Sequence, residues 1–72
     1  MTLTEKFNRT PWNTKIALLR MMLGLSQQEL ADKIGTTRKN VYLWEQGKTE
    51  PRNVSKRAIC NALGSTEQEI FG

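Results

Sequence analysis

Leu25-Ser-Gln-Gln-Glu-Leu-Ala-Asp-Lys-Ile-Gly-Thr-Thr-Arg-Lys-Asn-Val-Tyr-Leu-Trp-Glu-Gln-Gly47 holds two short helical patterns joined by a tight turn. Ser26 and Glu29 stand at capping-box spacing, where a hydroxyl and a carboxylate each satisfy a free backbone N–H at a helix start. Leu30, Ala31 and Ile34 follow as one apolar face. Gly35 lies where the chain must leave the helix with positive φ, which glycine adopts without steric cost. Thr36 and Thr37 offer hydroxyls to cap a second helix, whose inward stripe is Val41 and Trp44 and whose stop is Gly47. Arg38, Lys39, Asn40, Tyr42, Leu43 and Gln46 remain on its outer face, rich in donors and with no packing reason to be there. The pattern is that of a helix-turn-helix.

The 72 residues suffice for one domain with one small core. One cysteine cannot form an internal bridge, and no apolar run approaches the roughly 18 residues of a membrane span. With no signal peptide before the first helix, a cytoplasmic protein is expected. The absence of histidine excludes the common zinc sites and a Ser-His or Cys-His couple, so neither enzymatic chemistry, a metal nor a cofactor is expected. Net charge is +4. From Arg38 to Arg57 there are six basic residues (Arg38, Lys39, Lys48, Arg52, Lys56, Arg57) against two acidic ones (Glu45, Glu50). A charge run is usually a solvated face. Here it coincides with a donor-rich helix face, which favours a polyanionic partner.

Outward from the motif, residues 1–10 carry only Leu3 and Phe7 as bulky apolar groups and are expected to form a flexible N-terminal arm ahead of a domain over 11–72. Thr10-Pro11 puts a capping residue ahead of a proline, so the first helix starts there or just after, with Ile16, Leu19 and Leu23 inward, Trp12, Leu18 and Met22 broadening the stripe, and Gly24 ending it. After the Gly47-Lys-Thr-Glu-Pro51 loop, a fourth helix runs from Asn53 or Val54 to Leu63. Val54, Ala58, Ile59, Ala62 and Leu63 are its stripe, with Cys60 beside it as a buried small hydrophobe. Thr66 and Glu69 repeat the capping-box spacing ahead of Ile70 and Phe71. The fold expected is an all-α, compact five-helix domain in which the motif is helices 2 and 3.

Counted from Gln27, the fifth, ninth, fifteenth and eighteenth positions are Ala31, Gly35, Val41 and Trp44. These, with Leu23-Gly-Leu-Ser-Gln27, Leu30-Ala31 and Trp44-Glu-Gln-Gly-Lys48, resemble the phage-repressor and Cro-type (XRE) helix-turn-helix family over about residues 16 to 71. In that family an arginine ending the first helix pairs with a glutamate ending the third. The resemblance implies the same for Arg20 and Glu45, as a structural pair.

It also implies a sequence-specific regulator of transcription, prokaryotic or phage-encoded, nucleoid-associated and acting as a repressor. Its partner would be double-stranded DNA, bound in the major groove by the helix over about 38–46, as a homodimer on a two-fold symmetric operator. Carried over by position, Thr37, Arg38, Lys39 and Leu43 would face bases, and Gln27, Asn40, Gln46, Lys48 and Arg52 the phosphate backbone. Arginine and lysine suit guanine O6 and N7, whereas Leu43 can meet only a thymine methyl or shape the surface. This departs from the glutamine-rich pattern of some repressors and shifts the expected half-site toward guanine. The alternative of another class is a protein-interaction module of the same fold, such as an antitoxin or anti-repressor. Adjacent Arg38 and Lys39 argue against it, because interface cores lose charge.

Overall fold

In the computed structural model, residues 2–72 are described, and they form six helices and no strand. These are α1 (Leu3–Arg9), α2 (Trp12–Met22), α3 (Gln27–Ile34), α4 (Arg38–Glu45), α5 (Asn53–Leu63) and α6 (Glu67–Phe71). The motif pair is therefore α3 and α4. None of the helices among the described residues is long and apolar enough to cross a membrane.

Local chemistry sets the ends of α3, α4 and α6. The Glu29 N–H donates to Ser26 Oγ (3.0 Å) and the Ser26 N–H to Glu29 Oε1 (2.9 Å), a complete capping box. Thr66 and Glu69 repeat it at 2.8 and 3.1 Å. Thr37 Oγ1 accepts from the Asn40 N–H at 3.2 Å and opens α4. Between the motif helices Gly35 has φ +83°, and its N–H donates to the Ala31 carbonyl.

Hydrogen bonds from Ser26, its N–H first and then its hydroxyl, hold the Glu29 carboxyl below its ordinary value of 4.5. Thr66 does the same for Glu69. A carboxylate whose folded pKa is depressed contributes stability that is present above the unfolded value and is lost as pH falls through the folded one. We therefore expect thermal stability to decline below about pH 4.5, and the decline to be shallower in Glu29→Gln and Glu69→Gln. Thermal melts of the three proteins across that range check this; parallel curves would contradict it.

Ile16, Leu30, Ala31, Val41, Trp44, Ile59, Cys60, Leu63 and Ile70 form the core, drawing on every helix but α1. Each large aliphatic fully removed from water contributes about 1.5–3 kcal/mol. Burial, followed by the charges of Glu67 and Glu69, pushes the Cys60 thiol above its ordinary value.

Four expectations need correction. The stretch expected as an arm carries α1, because Thr2 Oγ1 accepts from the Glu5 N–H (3.1 Å) and starts a helix; Met1 lies outside the described residues. Thr10 closes α1 by donating its hydroxyl to the Lys6 carbonyl (2.8 Å), and α2 starts behind Pro11 with no side-chain cap. Leu18 and Met22 on α2 and Leu23 at its C-cap are exposed, and the buried residue beside Leu18 and Met22 is Lys15. Its ammonium donates to the Glu69 carbonyl (2.7 Å) and stands 5.1 Å from the Phe7 ring centroid, joining α1, α2 and α6. On α5, Val54 is 81% exposed and does not pack. Lys56 lies half-buried over the Phe71 ring at 5.1 Å and 3.5 Å from Glu50, its stem covering apolar surface while the ammonium reaches a carboxylate.

Candidate nucleic-acid interface

The candidate face begins with what buries the back of α4. Val41 is fully buried and Trp44 nearly so, three residues apart on one side of the helix. Arg38, Lys39, Asn40, Tyr42 and Gln46 are consequently turned to solvent, with Leu43 half-buried between the two sides.

Arg20 and Glu45 fix the far end of α4. Arg20 Nε donates to Glu45 Oε2 at 2.7 Å and Nη2 to Oε1 at 3.0 Å, a two-pronged pair whose side chains are only 13% and 5% exposed. Nη1 donates to the Leu25 carbonyl at 2.8 Å, tying in the turn before α3. The bond to Glu45 raises the Arg20 pKa further above its ordinary value. Gln27 Nε2 donates to Glu45 Oε1 at 3.0 Å. Asn13 Nδ2 donates to the Glu45 backbone carbonyl at 3.1 Å. Glu45 is thus the point where α2, α3 and α4 meet.

This arrangement decides the electrostatics of the outer face. Glu45 sits at the end of α4, but its charge is neutralised inward by Arg20. The second ion pair among the described residues is Lys56 with Glu50. Arg38, Lys39, Lys48 and Arg52 form no ion pair among the described residues and are all exposed, so the surface beside α4 is positive.

The structure sorts the expected site residues into three groups. Gln27, Arg38, Lys39 and Tyr42 line one open groove between the start of α3 and α4. Asn40 and Arg52 line another, where α4 meets the loop into α5. Gln46 and Lys48 lie at the C-terminal end of α4. Two of these side chains have local partners. Thr37 Oγ1 caps its own helix as expected, and Asn40 Nδ2 donates to Thr36 Oγ1 at 2.9 Å across the turn, which the sequence did not suggest. Asn13 was not anticipated at all; it is 32 residues from Glu45 in sequence, and no local pattern marks it.

α1 lies elsewhere. With Leu18 and Met22 of α2 it lines an apolar groove through Leu3 and Phe7. At 100° per residue, Leu18 and Met22 each stand about 160° around α2 from Arg20, so this groove is turned away from α4.

A sequence profile described as helix-turn-helix matches residues 16–70. The chain is 40% identical over 53 residues to an uncharacterized HTH-type transcriptional regulator of Methanothermobacter thermautotrophicus, the match covering 72% of this chain and 77% of that protein. It is 32% identical over 57 residues to the uncharacterized HTH-type transcriptional regulator YgzD of Bacillus subtilis, covering 79% of this chain and 86% of that one.

Proposed function

The chain belongs to the helix-turn-helix family, and on that premise we propose that it is a sequence-specific double-stranded DNA-binding regulator of transcription that inserts α4 into the major groove. The observation that carries this reading is the positive outer face of α4: Arg38 and Lys39 are exposed and form no ion pair among the described residues, on a helix whose back is buried and whose end is fixed. A helix so held presents its side chains at constant angles, which base reading requires.

In this reading Arg38 and Lys39 donate to guanine O6 and N7. Half-buried Leu43 shapes the surface or meets a thymine methyl, and the Thr37 hydroxyl keeps its own proton to donate. Asn40, Gln46, Lys48 and Arg52 meet phosphates, which set register and add affinity without sequence information. Gln27, at the start of α3, has a second amide N–H beyond the one given to Glu45 and can offer it to a phosphate. One helix spans few base pairs, so the protein acts as a homodimer on a two-fold symmetric operator with half-sites about one helical turn apart. Occupying that operator represses transcription.

Salt dependence provides the test. Log affinity for duplex DNA should fall linearly with log salt, and Lys48→Ala or Arg52→Ala should each reduce the slope by about 1, with base preference kept. Slopes unchanged in both variants would remove the phosphate assignments.

One observation favours a second reading, a protein-interaction module. The groove between α1 and α2 is apolar and leaves Leu3 and Met22 exposed, on the side away from α4. Purification with a stoichiometric protein partner, and without affinity for any duplex, would favour that reading over DNA binding.

A further inference from the structure

Two contacts from α2 reach the end of α4, and they act on different parts of it. Arg20 grips the Glu45 carboxylate. A carboxylate at the tip of its side chain constrains the backbone of the helix end less directly than a bond to the backbone itself. Asn13 donates instead to the Glu45 backbone carbonyl, one of those that a helix leaves without an internal partner at its C-terminus. Asn13 and Arg20 are seven residues apart, two turns of α2, and therefore share one face.

Gly47 reports the same contact from the other side. With φ +72° it turns the chain out of α4, and a Cβ there would stand 3.3 Å from Asn13 Cγ and Nδ2. The Asn13 amide thus fills the space against the turn as well as bonding to the helix end.

We infer that Asn13 is a positioning residue for DNA reading, setting the roll and tilt of α4 through the Glu45 carbonyl, so that base specificity depends on a side chain outside the helix-turn-helix. The inference rests on the DNA reading proposed above. Arg38 lies seven residues from Glu45, roughly 10 Å along the helix, so a tilt of about 6° about the held end moves it by about 1 Å. Base-edge hydrogen bonds tolerate little of that. Phosphate contacts made by flexible lysines and arginines tolerate more. Loss of Asn13 therefore reduces discrimination more than it reduces non-specific affinity.

The test compares binding to a duplex selected by the wild type with binding to a random duplex of equal length, at fixed salt. Asn13→Asp keeps the shape against Gly47 but puts an acceptor opposite the Glu45 carbonyl; Asn13→Ala removes the donor without adding charge and serves if the first variant does not fold. Ile59→Val, in the core on α5, lowers stability by a comparable amount without touching α4's end and is the control. We expect the ratio of selected to random affinity to fall about tenfold in the Asn13 variants, as one lost hydrogen bond allows, and to stay at the wild-type value in Ile59→Val. Hydrogen exchange of the Gln46 and Gly47 amides should quicken only in the Asn13 variants. A folded Asn13 variant with the wild-type ratio, or an equal loss in Ile59→Val, overturns the inference. A wild-type ratio near one overturns the DNA reading itself.

Discussion

Glu45→Ala is expected to cost about 3–5 kcal/mol of folding stability, a large share of what a domain of this length has. At roughly 0.05–0.15 kcal/mol per residue the whole chain is held by only about 4 to 11 kcal/mol. Among the described residues, the substitution leaves the guanidinium of Arg20 nearly buried with only the Leu25 carbonyl as acceptor, and it takes the Glu45 acceptor from Gln27. An unpaired buried charge is far more costly than a broken surface pair, which is worth about 0–1 kcal/mol. Arg20→Ala should be comparable, because the carboxylate then keeps only Gln27. Replacing both residues by leucine should recover much of the loss, since two apolar groups leave no charge to solvate. Urea unfolding of the single and double variants measures this. A loss below about 1 kcal/mol in Glu45→Ala would mean that the pair behaves as a solvent-screened one.

Arg38→Ala and Lys39→Ala are expected to act the other way: little on the fold, much on DNA. Both side chains are exposed and form no ion pair among the described residues, so unfolding free energy should change by less than about 0.5 kcal/mol. On a guanine-containing half-site each should cost about 1–3 kcal/mol of binding, a factor of roughly 5 to 150, and should relax preference at the base pair it meets. Competition between the preferred duplex and single-base variants separates this from a phosphate role. A uniform weakening across all sequences would reassign the residue to the backbone.

The motif was legible because its determinants are local. Ser26 with Glu29, Gly35, and Val41 with Trp44 each act within one turn of chain, and the structure has each in the expected place. The centre of an apolar stripe is less local. Leu18, Met22 and Leu23 fit the period of α2, but which arc of a helix is covered depends on the elements that pack on it, and Lys15 is covered there instead. Val54 failed for the same reason: it has the right spacing on α5 but faces away from the core. α1 went unread because its start rests on a single hydroxyl at Thr2 and it buries no residue. The exposed set on α4 could be seen as a block, since what packs inward and what does not alternate within eight residues. Asn13 could not, because its contact joins residues from opposite ends of the domain's first fifty.

The central claim is that α4 reads double-stranded DNA, and selection of bound sequences from a random duplex pool tests it most directly. At roughly physiological salt the wild-type protein should enrich one consensus, guanine-containing and two-fold symmetric, with half-site centres about 10 base pairs apart. A pool that stays random after repeated rounds, from protein that is folded and free of aggregates in solution, would contradict it.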